Sequence, residues 1–374
     1  MAEPVMQTYD VKKDFDGKKV RIAIIGTGGI AGAHIKAYEN VAEAEIVAAC
    51  DINETKLNLF CDRHGIPKEN RYTSVDALLA DNDRLALDAA DVCVWNCNHA
   101  SCSIAALNAG LHVFCEKPMA YNTEQAIAMK EAADRNGKLL MVGFVMRFSD
   151  ETNVAMDFIR EGALGDIYYT KATYLRRHGN PGGWFGDKSR SGGGPVIDLG
   201  VHVIDYNRYM MGLPKPVSVY AATGDKLGHR KDLKTTVAWR PIDAKEDDIC
   251  DVEDFGTALI RFDNGSVMLL ETSYSLNIGA GTTKRELFGT KGGMVFEKDL
   301  KIYTEMSGYM VDITPSISYL KDSKPDFVRE MQHFVDCVRT GCECRAKAED
   351  GIWVMKILDA IYESAKTGHE VTIK

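Results

Sequence analysis

Residues 20–32 read Val-Arg-Ile-Ala-Ile-Ile-Gly-Thr-Gly-Gly-Ile-Ala-Gly, an apolar run that ends abruptly in a glycine-rich turn. The segment Val20–Ile25 has the length and composition of a buried β-strand, and a helical pattern follows the glycines. The turn carries G-x-G-x-x-A on Gly26, Gly28 and Ala31. Between a strand and a helix, such a turn lets the backbone approach a pyrophosphate, which the free N–H groups of the helix then bind. This stretch predicts a dinucleotide-binding domain at the start of the chain.

An acidic residue ends the next predicted strand, Glu45–Cys50, and Asp51 lies 25 positions after Gly26. A carboxylate at this place accepts hydrogen bonds from the ribose hydroxyls of NAD and repels the 2′-phosphate of NADP. Residues 52–54 supply no arginine for that phosphate, so the sequence favours NAD over NADP. The alternative is that Asp51 only caps a helix in a flavodoxin-like domain that binds no dinucleotide.

The first 140 residues or so alternate short apolar runs with helical patterns, which predicts a parallel, doubly wound α/β sheet. The later strands are expected at Val92–Trp95, Leu111–Cys115 and Leu139–Val142. After Arg147 the pattern changes to strands joined by hairpin turns, with a few helices. This sequence pattern predicts a C-terminal α+β domain with a large, mostly antiparallel open sheet.

The expected domains are an arm at 1–18, an NAD-binding Rossmann domain at 19–146 and a substrate-binding and oligomerisation domain at 147–374. The chain has 374 residues, which is long for a single core. In the second domain, strands are expected near 167–176, 217–223, 255–262, 266–274, 285–289 and 293–296, and a polar surface loop at 224–251. Two helices, 325–340 and 348–366, close the chain, and the last is a candidate for packing back on the Rossmann domain.

The composition is that of an ordinary globular protein with an acidic surface, since the formal net charge is −9. This charge disfavours nucleic acid and anionic membranes as partners. The N-terminus lacks a signal-peptide core and no apolar run is long enough to cross a membrane, so a cytoplasmic protein is expected. Its ten cysteines are expected to be reduced, and no metal site is predicted, because spacings such as Cys342 to Cys344 match no zinc pattern.

Two segments carry candidate chemistry. Glu116-Lys117-Pro118 follows the fifth predicted strand, at the sheet edge where ligands of doubly wound folds lie. Lys117 there can hold a substrate hydroxyl, although such a lysine is more often simply exposed. In the second segment Asp198 and His202 are four residues apart on one predicted helix, with Asp205 a further turn along.

A histidine in this setting can take the hydroxyl proton while hydride leaves the carbon, and a carboxylate one turn away can orient its ring. The glycines at 192–194 before the helix would let the backbone come close to a ligand. The alternatives are a structural Asp–His pair inside a buried helix or a pair of metal ligands.

Residues 26–32, 116–118 and 192–205 together resemble the glucose–fructose oxidoreductase and inositol dehydrogenase family (Gfo/Idh/MocA). The resemblance extends over almost the whole chain and includes 142–147, 181–185 and 252–255. It implies a Rossmann domain, an open-sheet domain that builds a homodimer or homotetramer, and Lys117, Asp198 and His202 as the catalytic lysine, aspartate and histidine. The family's Thr-Pro-Asn after the fourth strand is here Asn96-Cys97-Asn98, which leaves the geometry of that loop open.

These arguments define the candidate sites. The catalytic residues are expected to be Lys117, Asp198 and His202. The expected cofactor-binding residues are Gly26, Thr27, Gly28, Gly29, Ile30, Asp51, Asn96, Asn98, Glu116, Lys117 and Arg147. The expected substrate-binding residues are Lys117, Tyr174, Arg176, His178, Trp184, Asp198 and His202.

Trp184 can stack on a sugar ring, or it can merely anchor its glycine-rich loop. The predicted function is NAD-dependent hydride transfer at a hydroxyl carbon of a sugar, glycoside or cyclitol, with C3 of a glycosidic glucose as one possibility. Two alternatives are a glycosidase or lyase that retains its NAD, and a non-enzymatic NAD-binding regulator.

Overall fold

A computed structural model describes residues 17–228, 230, 234, 240–241, 244–245, 247–320 and 323–374. Residues 1–16 of the expected arm at 1–18 and part of the expected loop at 224–251 therefore lie outside the described residues. Among the described helices, none is long and apolar enough to span a lipid bilayer.

The N-terminal domain is a six-stranded parallel sheet with strand order β3-β2-β1-β4-β5-β6. Its strands are β1 Val20–Ile25, β2 Ala44–Cys50, β3 Arg71–Tyr72, β4 Ala89–Val92, β5 His112–Cys115 and β6 Leu140–Val142. Its helices are α1 Gly29–Tyr38, α2 Glu54–His64, α3 Val75–Ala80, α4 Asn82–Leu85, α5 His99–Asn108 and α6 Thr123–Asn136. The strand order reverses between β1 and β4, and this crevice at the carboxyl ends of the strands is where such sheets bind ligands.

The C-terminal domain is built on a nine-stranded sheet with order β14-β13-β12-β11-β7-β10-β9-β8-β15. Its strands are β7 Ile167–Leu175, β8 Pro216–Gly224, β9 Phe255–Phe262, β10 Val267–Ser273, β11 Thr282–Gly289, β12 Gly292–Phe296, β13 Leu300–Met306, β14 Tyr309–Ile313 and β15 Val371–Thr372. Its helices are α7 Asp150–Arg160, α8 Lys188–Ser191, α9 Val201–Met210, α10 Asp326–Thr340 and α11 Ala348–Thr367. Only β7 and β10 pair in parallel, so the predicted α+β architecture with a mostly antiparallel sheet is confirmed.

One strand prediction was misplaced, and one hairpin was not predicted. The fourth strand covers Ala89–Val92 rather than Val92–Trp95, because small alanines and a buried Asp91 disguise it while the apolar run continues into a loop. The hairpin β13–β14 was missed altogether. Its turn is Ser307-Gly308, and both residues have positive φ, as the tight primed turns of hairpins require.

The last two helices join the domains. Helix α10 packs against α1, and α11 packs against both α6 and β8. The backbone N–H of Thr123, at the start of α6, donates to the carboxylate of Asp359 at 2.8 Å. Apolar residues of both domains merge into one buried core. The two domains are therefore packed against each other through a continuous apolar core.

Candidate active site

The glycine turn after β1 forms an open cradle. Gly26 has φ +94°, and a Cβ there would lie 2.5 Å from the carbonyl oxygen of Cys93, so only glycine fits. A Cβ on Gly28 would meet nothing within 4 Å, and no described side chain caps the start of α1. The first N–H groups of a helix have no acceptor within it, so those of Gly29 and Ile30 are available to an anion.

Asp51 stands at the adjoining end of β2. Its Oδ2 accepts from the backbone N–H and the hydroxyl of Thr27 at 2.8 and 2.9 Å, and its Oδ1 accepts from the backbone N–H of Asn53 at 2.8 Å. These contacts orient the carboxylate and leave part of its acceptor capacity unused. Ile52 beside it is 74% exposed, an apolar surface that sequence analysis missed although the residue adjoins the acidic signal.

The turn after β5 fixes Lys117. The Lys117–Pro118 peptide bond is cis, and Glu116 Oε2 accepts from the Lys117 backbone N–H at 3.0 Å. The ring of His99 lies 2.7 Å from the carbonyl oxygen of Pro118 and 3.1 Å from that of Val94. The turn is therefore tied to the neighbouring loop on one side and to a buried carboxylate on the other.

Lys117 reaches across the domain boundary to Asp198. Its Nζ donates to Asp198 Oδ1 at 2.9 Å and to the Asp198 carbonyl oxygen at 3.1 Å. Asp198 lies in a π-helical turn, Val196–Gly200, that precedes α9, and such turns are frequent at functional sites. Burial raises the pKa of Asp198, but the Lys117 ammonium outweighs it and leaves that pKa below its ordinary value. The pair is an ammonium–carboxylate ion pair inside the cleft.

Tyr274, directly after β10, completes this group and was missed by sequence analysis. Its hydroxyl donates to Asp198 Oδ2 at 2.9 Å, and the residue is 1% exposed. Burial and the Asp198 charge raise its pKa well above the ordinary value, so the hydroxyl keeps its proton. No pattern in the sequence marks this tyrosine, because its partner lies 76 residues away.

His202 faces the same group without a hydrogen bond to any described residue. Burial, with the Lys117 charge second, lowers its pKa to about 3, so the ring is neutral. The proposed orientation of His202 by Asp198 is corrected by these contacts, since both Asp198 oxygens are occupied by Lys117 and Tyr274. The carboxylate holds the lysine instead of the histidine.

A buried chain of charges lies behind Glu116. His34, on α1, contacts Asp91 Oδ2 at 3.0 Å through Nδ1 and Glu116 Oε1 at 3.0 Å through Nε2. Burial lowers the pKa of His34, but Asp91 and its other partners outweigh it and raise that pKa well above 6.5. Burial raises the pKa of Glu116, and the His34 contacts outweigh that effect and lower it. The sequence signal that could have indicated these buried charges is Asp91, an aspartate inside the apolar strand β4.

Arg147 does not line the cleft, contrary to its assignment as a cofactor residue. It is fully buried, and its guanidinium binds Asp205 (2.5 Å and 2.9 Å), Asp350 (2.9 Å) and the carbonyl oxygen of Arg345 (2.6 Å). Asp205 is accordingly a partner of this arginine rather than of His202. Arg147 and Asp205 belong to a hydrogen-bonded network that connects α9 with α11.

The glycines before the π-helical turn serve packing instead of ligand approach. A Cβ on Gly193 would lie 2.0 Å from the Tyr362 hydroxyl, and one on Gly194 would lie 2.3 Å from the Glu253 carbonyl oxygen. The Glu253 carboxylate accepts from the backbone N–H groups of Gly194 and Val196 at 2.9 and 3.1 Å. Glu253 therefore anchors the start of the segment that carries Asp198.

The loop at 96–98 forms a short 3₁₀ turn, although it lacks the proline of the resembled family. Asn96 is buried and donates to the Ser191 carbonyl oxygen at 2.7 Å, which joins the two domains. Asn98 is only half-buried and begins α5. Of the two asparagines, Asn98 is therefore the more exposed.

The predicted substrate residues divide into two groups. Arg176 lies over the rings of Tyr174 and Tyr274, 5.4 and 5.9 Å from their centres, beside the Asp198 charge. Trp184 packs on Phe185 with ring centres 4.0 Å apart. Among the described residues, no hydrogen bond, ion pair or ring contact joins Trp184 or His178 to Lys117. The structure thus brings Arg176 and Tyr174 next to Tyr274 and the Asp198 charge, and leaves Trp184 in the flanking loop.

Comparison with known proteins agrees with this architecture. Residues 20–144 match the Gfo/Idh/MocA oxidoreductase family with an NAD-binding Rossmann fold, and residues 157–373 match that family's C-terminal alpha/beta domain.

Two curated relatives span nearly the whole chain. D-glucoside 3-dehydrogenase of Escherichia coli K12 is 33% identical over 366 residues, covering 97% of this chain and all of the relative. D-xylose 1-dehydrogenase (NADP(+)) 2 of Haloferax volcanii is 26% identical over 352 residues, covering 94% and 98%. A solved structure of levoglucosan dehydrogenase with NADH and L-sorbose superposes with a TM-score of 0.82 at 26% identity, covering 96% and 99%.

Proposed function

Because the chain belongs to the Gfo/Idh/MocA family of NAD-binding oxidoreductases, we propose that it oxidises a secondary ring hydroxyl of a glycoside, with C3 of a glucoside as the leading position. The observation that carries the proposal is the Lys117–Asp198 ion pair beside a neutral His202, at the carboxyl edge of the Rossmann sheet. An ammonium next to a neutral base is what removal of a hydroxyl proton requires.

The residues present fit a dinucleotide. The cradle at Gly26 and Gly28 is open and its helix amides are available, as a pyrophosphate needs. Asp51 has acceptor capacity left for ribose hydroxyls, and exposed Ile52 offers an apolar face for an adenine ring. No arginine occupies 52–54, which supports NAD although one relative is named for NADP.

Each catalytic side chain has a distinct role in this proposal. When bound, NAD⁺ supplies the hydride acceptor, and the substrate carbon becomes a carbonyl. The Lys117 ammonium holds the substrate oxygen and stabilises its developing negative charge, while Asp198 fixes the position of the ammonium. His202 accepts the hydroxyl proton. Its ring is available as the acceptor because burial and the Lys117 charge lower its pKa and keep it neutral.

The substrate class rests on the relatives and on the cleft. The two curated relatives are named for oxidation at C3 of a glucoside and at C1 of xylose, and the solved neighbour carries L-sorbose. Arg176 supplies hydrogen-bond donors beside Asp198, and Tyr174 and Trp184 supply aromatic faces of the kind that pack on sugar rings.

We also infer that the chain forms a homodimer or homotetramer through its nine-stranded sheet. Tyr220 and Leu259 pair across β8 and β9 and are 55% and 45% exposed on the face turned away from the helices. Apolar side chains grouped on an open sheet face are typical of an interface. Light scattering on the purified chain measures the mass directly.

The test of the function is a panel of glucosides, free aldoses and cyclitols incubated with NAD⁺ or NADP⁺, with reduced nicotinamide measured by absorbance. The expected result is turnover of a glucoside with NAD⁺, and product analysis by NMR should place the carbonyl at C3. The Lys117→Met variant, with its folding verified by circular dichroism, is expected to lose most of this activity. No turnover of any polyol or sugar would contradict the proposal.

The retained-cofactor alternative predicts a different outcome of the same assay. A glycosidase or lyase that uses transient oxidation would release an altered sugar while no free NADH accumulates. A non-enzymatic regulator would bind NAD without consuming any sugar, and it would have no use for the Lys117–Asp198 pair.

A further inference from the structure

A cluster of three cysteines and one histidine lies at the carboxyl end of α10, outside the proposed active site. His333 and Cys337 are four residues apart on one face of the helix, and Cys342 and Cys344 follow in the next loop. The Cys337 sulfur lies 3.5 Å from His333 Nε2 and 3.3 Å from the Cys342 sulfur. Potential ligand atoms of these three residues all lie within 4.8 Å of one another.

Cys344 adjoins the same point. Its thiol lies next to Cys337 and His333. His333, Cys337 and Cys344 are buried, and Cys342 is half-buried. Three potential ligand atoms thus lie together at the edge of the core, and Cys344 adjoins two of them. Half-buried Cys342 leaves a path by which a metal ion can enter. We propose that this cluster, the Cys₃His cluster, is a structural zinc site.

The distances are close to those of a tetrahedral centre. With Zn–S near 2.3 Å and Zn–N near 2.0–2.1 Å, neighbouring ligand atoms are separated by about 3.5 Å for sulfur and nitrogen and about 3.8 Å for two sulfurs. The observed 3.5 Å between Cys337 and His333 matches the first value, and the 3.3 Å between Cys337 and Cys342 needs to widen by about half an ångström. Cys₃His is a common donor set of closed structural zinc sites.

One existing contact changes when the metal binds. The backbone N–H of Arg345 donates to His333 Nε2 at 2.9 Å. Zinc would bind His333 Nε2 through the lone pair that now accepts this N–H. The Arg345 amide would then donate to a sulfur of the cluster, because a thiolate accepts N–H groups. The only change required of the backbone is local, since Arg345 lies directly after a ligand.

The site would fasten a loop that joins the two domains. The Arg345 carbonyl oxygen accepts from Arg147 at 2.6 Å, and the Arg345 side chain donates to Tyr209 and Asn153, each at 2.9 Å. The Ala346 carbonyl oxygen accepts from the Val142 backbone N–H at 3.0 Å. A metal holding Cys342 and Cys344 to α10 would therefore stabilise the chain where these contacts meet.

The first experiment measures metal in the full-length protein, purified with a reductant and without a histidine tag, by inductively coupled plasma mass spectrometry. The expected content is about one zinc per chain. The Cys337→Ser variant should fall to background, whereas Cys102→Ser, a half-buried cysteine on α5 outside the cluster, should keep its zinc. Equal zinc in the wild type and in folded Cys337→Ser would overturn the proposal.

The second experiment is independent of whether Cys337→Ser folds. Zinc is removed from the wild-type chain with a chelator, and Co²⁺ is added. Thiolate-to-cobalt absorption at one equivalent, its loss in the Cys342→Ser variant, and a higher melting temperature with zinc than without are expected. A folded, reduced wild-type chain that shows no cobalt band refutes the site. A Cys337–Cys342 disulfide in freshly isolated protein, detected by peptide mass spectrometry, also refutes it and identifies a redox pair.

Discussion

The hydroxyl of Tyr274 provides the sharpest test of how the catalytic lysine is held. In the Tyr274→Phe variant the ring remains in its buried position, and Asp198 Oδ2 loses the hydrogen bond that it accepts at 2.9 Å. The carboxylate stays buried with Lys117 as its remaining side-chain hydrogen-bond partner. A weaker hold on Asp198 loosens the ammonium that stabilises the substrate oxygen.

The size of the effect follows from the type of bond that is removed. A hydrogen bond to an ionised group contributes about 1.5–3 kcal/mol. If the position of Lys117 depends on this bond through Asp198, a loss of about 1.5–3 kcal/mol of transition-state stabilisation lowers kcat/KM by about 10- to 150-fold. The loss is expected mainly in kcat, because the developing charge on the oxygen exists only in the transition state.

The pH dependence gives a second readout. The pKa of Asp198 is below its ordinary value, so the contribution of the ion pair is present above that ordinary value and is lost as pH falls through the folded pKa. Removing a donor to the charged form raises the pKa. The acid side of the kcat/KM profile of Tyr274→Phe should therefore begin at a higher pH than that of the wild type.

The assay is initial-rate NADH formation across pH, with urea unfolding to measure stability. Tyr206→Phe is the matched control, because it also removes a buried hydroxyl, whose contact with Thr152 is a weak 3.4 Å, in the separate apolar cluster of the C-terminal domain. The reasoning is refuted if Tyr274→Phe keeps wild-type kcat and an unchanged pH profile, or if Tyr206→Phe lowers kcat equally.

Four further outcomes are expected. In the NADH assay, Lys117→Met should lower kcat/KM by about 10²–10³, which is the usual effect of removing one donor that stabilises a developing charge. A loss below tenfold would contradict the role of Lys117. Wild-type kcat/KM should show no acid limb near pH 6.5, since the pKa of His202 is about 3; a limb at 6.5 that disappears in His202→Asn would contradict this. Asp51→Ala should narrow the preference for NAD⁺ over NADP⁺ in competitive kinetics, and an unchanged ratio would remove Asp51 from recognition of the ribose. His34→Gln should lower the free energy of unfolding, measured in urea, by about 3–5 kcal/mol, because two buried carboxylates lose their cation. The pKa of His34 is raised in the folded chain, so the stability difference between wild type and variant is complete below about pH 6.5. It shrinks only as pH rises through the folded pKa.

The elements with strong local signals were predictable. The β1–α1 turn was found from its glycines, because a positive φ at Gly26 and close approach at Gly28 leave a sequence trace. Most strands and helices were placed within a few residues for the same reason, since hydrophobic periodicity is local. The fold class, a parallel doubly wound sheet followed by a mostly antiparallel one, followed from those elements, and the family followed from three motifs in order.

The partners of charged residues were not predictable from one sequence. Arg147 follows a Rossmann strand and was assigned to the cofactor, yet it binds Asp205 and Asp350 from two helices that lie 58 and 203 residues away. Asp198 and His202 were paired because they are one helical turn apart, whereas the carboxylate is taken by Lys117 from the other domain. The partner of a charged residue depends on which chain segments the tertiary fold brings together. The spacing of residues along the sequence does not predict it.

The same long-range contacts explain how a neutral histidine and a charged lysine coexist in one buried site. Asp91, His34 and Glu116 alternate in charge from β4 through α1 to the turn after β5, where Glu116 holds the backbone of Lys117. On the other side, Asp198 holds the Lys117 side chain. Every ionised group in the series has an opposite neighbour, which offsets the cost of burying it. His202 stands outside this pairing, with no hydrogen-bonded partner among the described residues, so burial and the lysine keep it uncharged. The lysine is fixed at both its backbone and its ammonium group. A substitution of His34 should therefore alter the position of Lys117 through Glu116, although His34 does not contact the substrate.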